Sequence, residues 1–488
     1  MSIAPPIPLA AVAAAVDGAE VRDEDGVVVD DVSFDSREVR PGSLFFCVPG
    51  ATSDGHSFAA AAASGGAAAL VVERWLELEL PQVRVRSVRE AMGPMSATVF
   101  GRPAEALTIV GVTGTNGKTT TTYLLESVFA GAGLVPGTLG TTGARIAGQP
   151  LPLARTTPEA PDLHRLLARM RDRGVTTVAM EVSSHALVQE RVGGVRFDVA
   201  AFTNLSQDHL DFHPDMETYF AAKASLFRPG RAAAAAIGID DEHGRRLRAA
   251  VVVPALTFGL SPDADLRATD VIEDATGISF RVGTLAVSSP LLGAFNVRNC
   301  LCVLAICRLL GIADDAVTAG IAAMPGVPGR AESVDEGQDF LVVVDYAHTP
   351  DSIQTVLTAA RHMAPGRVIA VFGCGGDRDR AKRTLMGAAA TSVADLTIIT
   401  SDNPRSEDPG GIIAEIEPGA RRGGGRYVVE PDRRGAIRLA IREASEGDVV
   451  VIAGKGHEQG QTIGTRTHPF DDRTVAAEEL RASWGGRR

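Results

Sequence analysis

The chain has few cysteines, few aromatics and no excess of positive charge, and each shortage narrows what it can be. Five cysteines among 488 residues (Cys47, Cys300, Cys302, Cys307, Cys374) form an odd set with neither CxxC spacing nor paired histidines. That excludes a disulfide framework and a zinc site and points to a reducing compartment. Cys300, Cys302 and Cys307 fall in an apolar helical stretch, where they read as small buried hydrophobes. Net charge is −12, and no segment interleaves Lys and Arg with aromatics, so the long-range field repels a polyphosphate backbone and no nucleic-acid partner is expected. The short basic pairs, Arg421 with Arg422 and Arg433 with Arg434, read as solvated loops or helix faces. No window of about 20 apolar residues is free of charge, so no membrane span is expected. The N-terminal run MSIAPPIPLAAVAAAV has no Lys or Arg before it, is interrupted by prolines and is followed by Asp17 and Glu20. It reads as a short amphipathic helix and not a signal peptide, and a cytoplasmic protein is expected.

What is present is a chain with 45% hydrophobic and 22% charged residues, enough to bury a core in each of several domains. Its length predicts two to four domains, and three is the working number. Residues 1–102 form a small α/β module of short β-type runs (VVVDDVSF, SLFFCV, AALVV) and an Ala-rich helical segment. Gly101-Arg102-Pro103 marks a joint. In residues 103–327 strands (LTIVGV, VTTVAMEV, FDVAAFTNL, AAAAAIGI) alternate with helices, which implies a parallel sheet covered on both faces. PGVPGR, 325–330, is the best hinge. From 328 to 488 the alternation restarts as a Rossmann-like, doubly wound α/β unit, with DYAHTP, GCGGDRD, SDNPR and GKGHE directly after strands, where such sheets bind ligands.

GVTGTNGKTT, 111–120, lies between a strand and a helix. Its glycines let backbone N–H groups approach phosphates, Lys118 supplies charge and the Thr119 hydroxyl can reach Mg²⁺. The general pattern G-x-x-x-x-G-K-[ST] needs glycine at 112, where this chain has Val112. The ATP-binding set read here is Gly114, Thr115, Asn116, Gly117, Lys118, Thr119 and Thr120.

That departure carries a resemblance. The loop GTNGKT, together with EVSSHAL, TNL..DHLD and DNPR, resembles the Mur ligase family, and the resemblance extends over nearly the whole chain. It implies a three-domain ligase that uses ATP and Mg²⁺ to phosphorylate a carboxylate and joins the acyl phosphate to an amine in peptidoglycan precursor synthesis. Activation is required because a carboxylate is a poor electrophile, and phosphoryl transfer depends on cations that neutralise the moving charge.

The resemblance implies metal-binding roles for Glu181 and His209 beside Thr119; read alone, Glu181 is equally a capping or salt-bridged carboxylate and His209 a structural histidine. Lys223 in YFAAKASLF reads by spacing as a surface lysine. In the family the matching lysine is carbamylated and helps set Mg²⁺, which needs a desolvated, neutral amine. Lys118, His209 and Lys223 are thus the implied catalytic set. Asn299 resembles the adenine contact, with Arg330 and Asp345 as nucleotide contacts from the last domain, so that domain closure completes the site. For the uridine-linked muramoyl-dipeptide substrate the implied residues are Ser36, Thr156, Thr157, Ser183, Gln189 and Arg191; chemistry alone singles out only Arg191, as an anion partner.

Arg378, Asp402, Asn403, Pro404, Arg405, Gly454 and Glu458, with Lys455 nearby, combine both signs of charge, as a zwitterionic amino acid requires. Without the family they read equally as a structural ion-pair network. In the family, members adding meso-diaminopimelate carry D-N-P-R here, whereas those adding lysine differ at the arginine. Thr384 stands where relatives commonly have proline, and a local loop effect is expected. The alternatives are the same step with lysine or another diamino acid, a folate polyglutamylating or dipeptide-adding relative, and an ATP-driven switch that makes no bond.

Overall fold

The computed structural model describes residues 5–50, 53–363 and 365–484. The fold is α/β with three sheet-centred units. The N-terminal sheet orders its strands Glu20–Arg22, Gln82–Arg84, Ala69–Val72, Ser43–Phe46, Asp31–Ser33, with only the first pair antiparallel. The helix Val88–Val99 covers it, its N-terminus held by Ser87, whose hydroxyl accepts from the Glu90 amide. The N-terminal apolar run forms the short helix Leu9–Ala13, with Leu9 and Val12 buried.

The central sheet has nine strands, and its parallel core runs Pro136–Gly140, Thr177–Glu181, Thr108–Thr113, Phe197–Phe202, Ala232–Gly238, Ala255–Gly259. Alternation along Thr108–Thr113 explains why both faces are covered. Val110 and Val112 point toward the helices Lys118–Gly131 and Phe295–Leu309, while Ile109 faces Leu163, Leu167 and Met170 of Ala160–Asp172. Cys300, Cys302 and Cys307 lie in the first of these cores, and burial raises their thiol pKa values. The antiparallel additions, Gly143–Ile146 with Gln149–Leu151 and the three-stranded sheet over Thr269–Ser289, are not among the sequence expectations.

The third sheet orders its strands Glu332–Ser333, Leu341–Asp345, Val449–Ala453, Val368–Phe372, Leu396–Ile399, Arg426–Val429, parallel after the first pair. Val342 and Val344 face one core and Val343 the other. Two expectations are corrected here. Thr384 lies inside the helix Ala381–Val393, not in a loop, and its hydroxyl donates to the Glu415 carbonyl at 2.9 Å, tying that helix to Pro409–Gly423. Arg433 is not on a solvated face. It is 1% exposed, because Asp472 meets it within the fold.

Among the described residues no helix is long and apolar enough to cross a membrane.

Candidate functional site

The phosphate loop leaves the end of Thr108–Thr113 and enters the helix at Lys118, with Gly114 at φ +144° and Gly117 at +88°. Close approach makes both glycines necessary: a Cβ on Gly114 would stand 1.9 Å from Thr203 Oγ1, and one on Gly117 2.4 Å from Asn299 Oδ1. The neighbouring TNL segment braces the loop. Thr203 Oγ1 donates to the Asn116 carbonyl at 2.6 Å, and Asn204 Oδ1 accepts from the Asn116 amide at 2.9 Å. Thr115 Oγ1 meets Ser206 O and Tyr219 OH, while Thr119 and Thr120 are buried in the first helical turn. Asn299 donates to Asn296, which in turn donates to Leu292 O, so the side-chain amides are fixed against the loop.

Two amines share one carbonyl at this loop. Lys118 Nζ donates to Gly114 O at 2.9 Å and to Thr115 O at 2.8 Å, and Lys223 Nζ donates to the same Gly114 O at 2.8 Å. Lys223 is 1% exposed, which corrects the surface-lysine reading. Burial, reinforced by the Lys118 charge, holds its pKa well below the ordinary lysine value. Its helix, Met216–Ala224, turns it inward above the Tyr219 ring.

Glu181 ends its strand with both carboxylate oxygens engaged by Thr141, from the amide at 2.8 Å and the hydroxyl at 3.1 Å. Thr157 donates to the Glu181 carbonyl and Thr156 meets Thr141, so the RTTP segment is brought to the same strand end. Arg191 donates to Thr157 O and Gln189 Oε1 and pairs with Glu159 at 3.0 Å. Glu159, absent from the sequence expectation, is also met by Arg89 and Arg155. Ser183 caps the helix Ser184–Val188. Ser36 stands apart from this cluster, in the N-terminal unit. It adjoins, without lining, a cleft formed by Asp31 to Phe34 and Arg165.

His209 holds a left-handed backbone at φ +56°, a conformation costly for a non-glycine residue and common at functional sites. Burial lowers its imidazole pKa. Its neighbour Asp208, which the motif reading passed over, is the meeting point of two units: His348 Nε2 lies 3.8 Å and Lys382 Nζ 3.9 Å from its carboxylate. Burial opposes its ionisation, yet His348, His209 and Lys382 outweigh that and hold it below the usual carboxylate range.

The third unit therefore stands against the phosphate loop. Arg330 Nη2 donates to Thr119 Oγ1 at 3.1 Å, and Asn116 Nδ2 donates to Asp351 Oδ2 at 3.1 Å. Asp345 accepts from the Ala331 and Ala347 amides, both at 2.7 Å; burial raises its pKa against the pull of Arg330.

At the strand ends of that unit, Asn403 Nδ2 donates to Glu458 Oε2 at 2.7 Å, and the fully buried Lys455 donates to Asn403, Glu458 and the Gly460 carbonyl. Asp402 is buried, and burial raises its pKa against Arg433 and Lys455. A Cβ on Gly454 would stand 2.5 Å from Asp402 Oδ2. Arg405, following buried Pro404, sits at φ +52°; its guanidinium donates to Gly376 O and, with Arg378, flanks Gly375. Neither arginine has a carboxylate within ion-pair distance among the described residues. Two guanidiniums without a carboxylate partner and the polar groups of Asp402, Asn403 and Glu458 thus follow strand ends of one sheet, and both signs of charge are what a zwitterion requires.

Comparison with known proteins agrees with this architecture. Residues 28–98 match the Mur ligase family, catalytic domain, residues 112–307 the Mur ligase middle domain, and residues 329–456 the Mur ligase, glutamate ligase domain. The chain is 48% identical over 461 residues to the UDP-N-acetylmuramoyl-L-alanyl-D-glutamate--2,6-diaminopimelate ligase of Solibacter usitatus, covering 92% of this chain and 93% of that one. It is 45% identical over 490 residues to the protein of the same name from Streptomyces coelicolor, covering 96% and 97%. A solved structure of a ligase of that name superimposes with a TM-score of 0.67 at 35% identity, over 93% of this chain and 95% of the other. The MurF ligase of Thermotoga maritima in complex with ADP shares the fold at 21% identity, with a TM-score of 0.65 over 94% and 98%. With the phosphate loop, the facing strand ends and these likenesses spanning nearly its full length, the chain belongs to the Mur ligase family.

Proposed function

We propose that this protein joins meso-2,6-diaminopimelate to the D-glutamate carboxylate of UDP-N-acetylmuramoyl-L-alanyl-D-glutamate at the expense of ATP, in the cytoplasm, as a step of peptidoglycan precursor synthesis. In this reading residues 1–102 take the uridine end through Ser36, 103–327 take ATP and the dipeptide, and 328–488 take the amino acid. Thr156, Thr157, Ser183, Gln189 and Arg191 hold the sugar–diphosphate and peptide portion. The observation that carries the choice of acceptor is the pair of unpaired guanidiniums, Arg378 and Arg405. Lysine has no distal carboxylate to engage them, whereas diaminopimelate does.

Lys118 and the loop amides from Gly114 to Thr120 receive the phosphates, Asn299 faces the base, and Arg330 and Asp345 approach the nucleotide from the third unit. Glu181, Thr119 and His209 would hold Mg²⁺, with Lys223 contributing as a carbamate; one carboxylate, one hydroxyl and one imidazole suit a cation that keeps water and phosphate oxygens in its remaining positions. Bound there, Mg²⁺ neutralises charge on the phosphates during transfer. The carboxylate takes the γ-phosphoryl group, and the amine of the acceptor attacks the acyl phosphate and expels phosphate. Asp402, Asn403 and Glu458 orient the distal ammonium and Arg405 the carboxylate on the same carbon. The chain acts by positioning and by charge, without a covalent enzyme intermediate.

Phosphate release measured with the uridine-linked dipeptide and a panel of diaminopimelate isomers, lysine and ornithine tests this directly. Release is expected to require both the dipeptide and an amine, with meso-diaminopimelate preferred. Release with ATP alone would favour a nucleotide switch, and equal rates with lysine would remove the role given to Arg405.

A further inference from the structure

Arg433 is among the largest fully buried side chains of the molecule. It opens the helix Arg433–Glu443, capped by Asp432. From there its guanidinium reaches beneath the strand ends and grips Asp472, Nε to Oδ1 at 2.8 Å and Nη2 to Oδ2 at 2.6 Å. Two further donors go to backbone: Nη2 to the Ala453 carbonyl at 3.0 Å and Nη1 to the Ser401 carbonyl at 3.2 Å.

Those two carbonyls matter because of where they stand. Ser401 immediately precedes Asp402 to Arg405, and Ala453 immediately precedes Gly454 to Glu458. Their strands, Leu396–Ile399 and Val449–Ala453, are not neighbours, since Val368–Phe372 lies between them. One planar group therefore spans the end of an intervening strand and links the backbones of both halves of the amino-acid pocket. The side-chain links between the halves, Asn403 with Glu458 and Lys455 with both, involve groups that a bound amino acid engages and so can exchange partners. The backbone of Arg405 is also bonded to Thr462 and Gly464, which ties the Arg405 loop to the segment after Glu458, whereas Arg433 ties it to Ala453, ahead of Gly454.

A buried ion pair is weak evidence for stability, because an apolar pair of similar volume usually serves as well. What an apolar pair cannot reproduce is the fork of donors aimed at two separate loops. We propose that Arg433 is a positioning residue for the acceptor amino acid, tying the Ser401 and Ala453 carbonyls so that the Arg405 side and the Glu458 side of the pocket stand at the spacing that fits the carboxylate and the ammonium of one zwitterion. The proposal rests on the amino-acid pocket assigned above.

The test is steady-state kinetics of the full chain carrying Arg433→Met with Asp472→Leu, which removes both charges together, and of Arg433→Lys, which keeps the Asp472 pair but cannot reach both carbonyls. In each variant KM for meso-diaminopimelate should rise at least about tenfold while KM for ATP and for the uridine-linked dipeptide stays within about twofold. An unchanged diaminopimelate KM in a folded variant, or an equal rise in all three KM values, would overturn the proposal. If the double variant does not fold, Arg433→Lys alone decides. Failure of the underlying reading looks different: the wild-type chain itself would release no phosphate with meso-diaminopimelate.

Discussion

Arg330 donates to the hydroxyl of Thr119 across 211 positions of sequence, at 3.1 Å. Thr119 belongs to the first turn after the phosphate loop, and Arg330 to the segment that leads into the third sheet, where its guanidinium lies 4.3 Å over the Tyr346 ring. The first helical turn after the loop is thus met by a residue from outside the sheet that carries the loop. In the proposed mechanism a donor delivered in this way would contribute mainly in the transition state, after the units have met.

Arg330→Ala is therefore expected to lower kcat about 100-fold while changing ATP affinity much less. Initial-rate kinetics set beside a direct ATP titration separate the two. A kcat within about threefold of wild type would show that the contact is incidental.

Arg405→Lys keeps the positive charge but loses the planar fork. The kcat/KM for meso-diaminopimelate should fall about 100-fold and its advantage over lysine should shrink, because a point charge on a flexible stem cannot reproduce bidentate grip. Competition between the two amino acids, with products separated by mass, measures this. Retained preference would place selection elsewhere in the pocket.

Buried Lys223, with its pKa held down, is expected to carry a carbamate in the active enzyme. Labelling with ¹³C-bicarbonate should give a carbamate carbon resonance that is absent from Lys223→Arg, and that variant should lose most activity. Full activity without any such resonance would leave Lys223 as a plain amine.

His164 gives a stability prediction with a defined sign. Its ring is fully buried against the Gly193 carbonyl, 2.8 Å from Nε2, and burial lowers its pKa from 6.5 to about 4. Between those values the unfolded chain binds more protons, so stability falls as pH drops from about 6.5 toward 4. His164→Gln should abolish a share of that loss amounting to about 3 kcal/mol. Urea unfolding at neutral pH and near pH 4 reads it out; parallel pH dependence in both proteins would count against His164 as the source.

Much of this was legible locally. The alternation of apolar strands and helices in residues 103–327 and 328–488 arises from short-range periodicity, and the glycines next to Lys118 mark the strand-to-helix loop that the structure shows. The antiparallel strands at Thr269–Ser289 were not legible, because their alternation is interrupted by polar residues, Thr269–Asp274 is largely exposed, and only Ile278, Phe280, Val282 and Val287 join the core that holds Phe295–Leu309. Glu159 and Asp208 escaped for a related reason: each is one ordinary carboxylate in sequence and becomes a junction only when partners from distant segments, Arg89 and Arg191 for Glu159 and His348 and Lys382 for Asp208, converge on it.

By itself the sequence determined the α/β class, the position of the phosphate loop, and the chemical types available at the strand ends, since each depends on residues close together along the chain. Only the tertiary structure decided that Lys223 and Arg433 are buried, because burial depends on what other segments place above a side chain. It also decided that the third unit closes on Thr119, an arrangement set by packing between segments hundreds of residues apart and encoded in no local pattern.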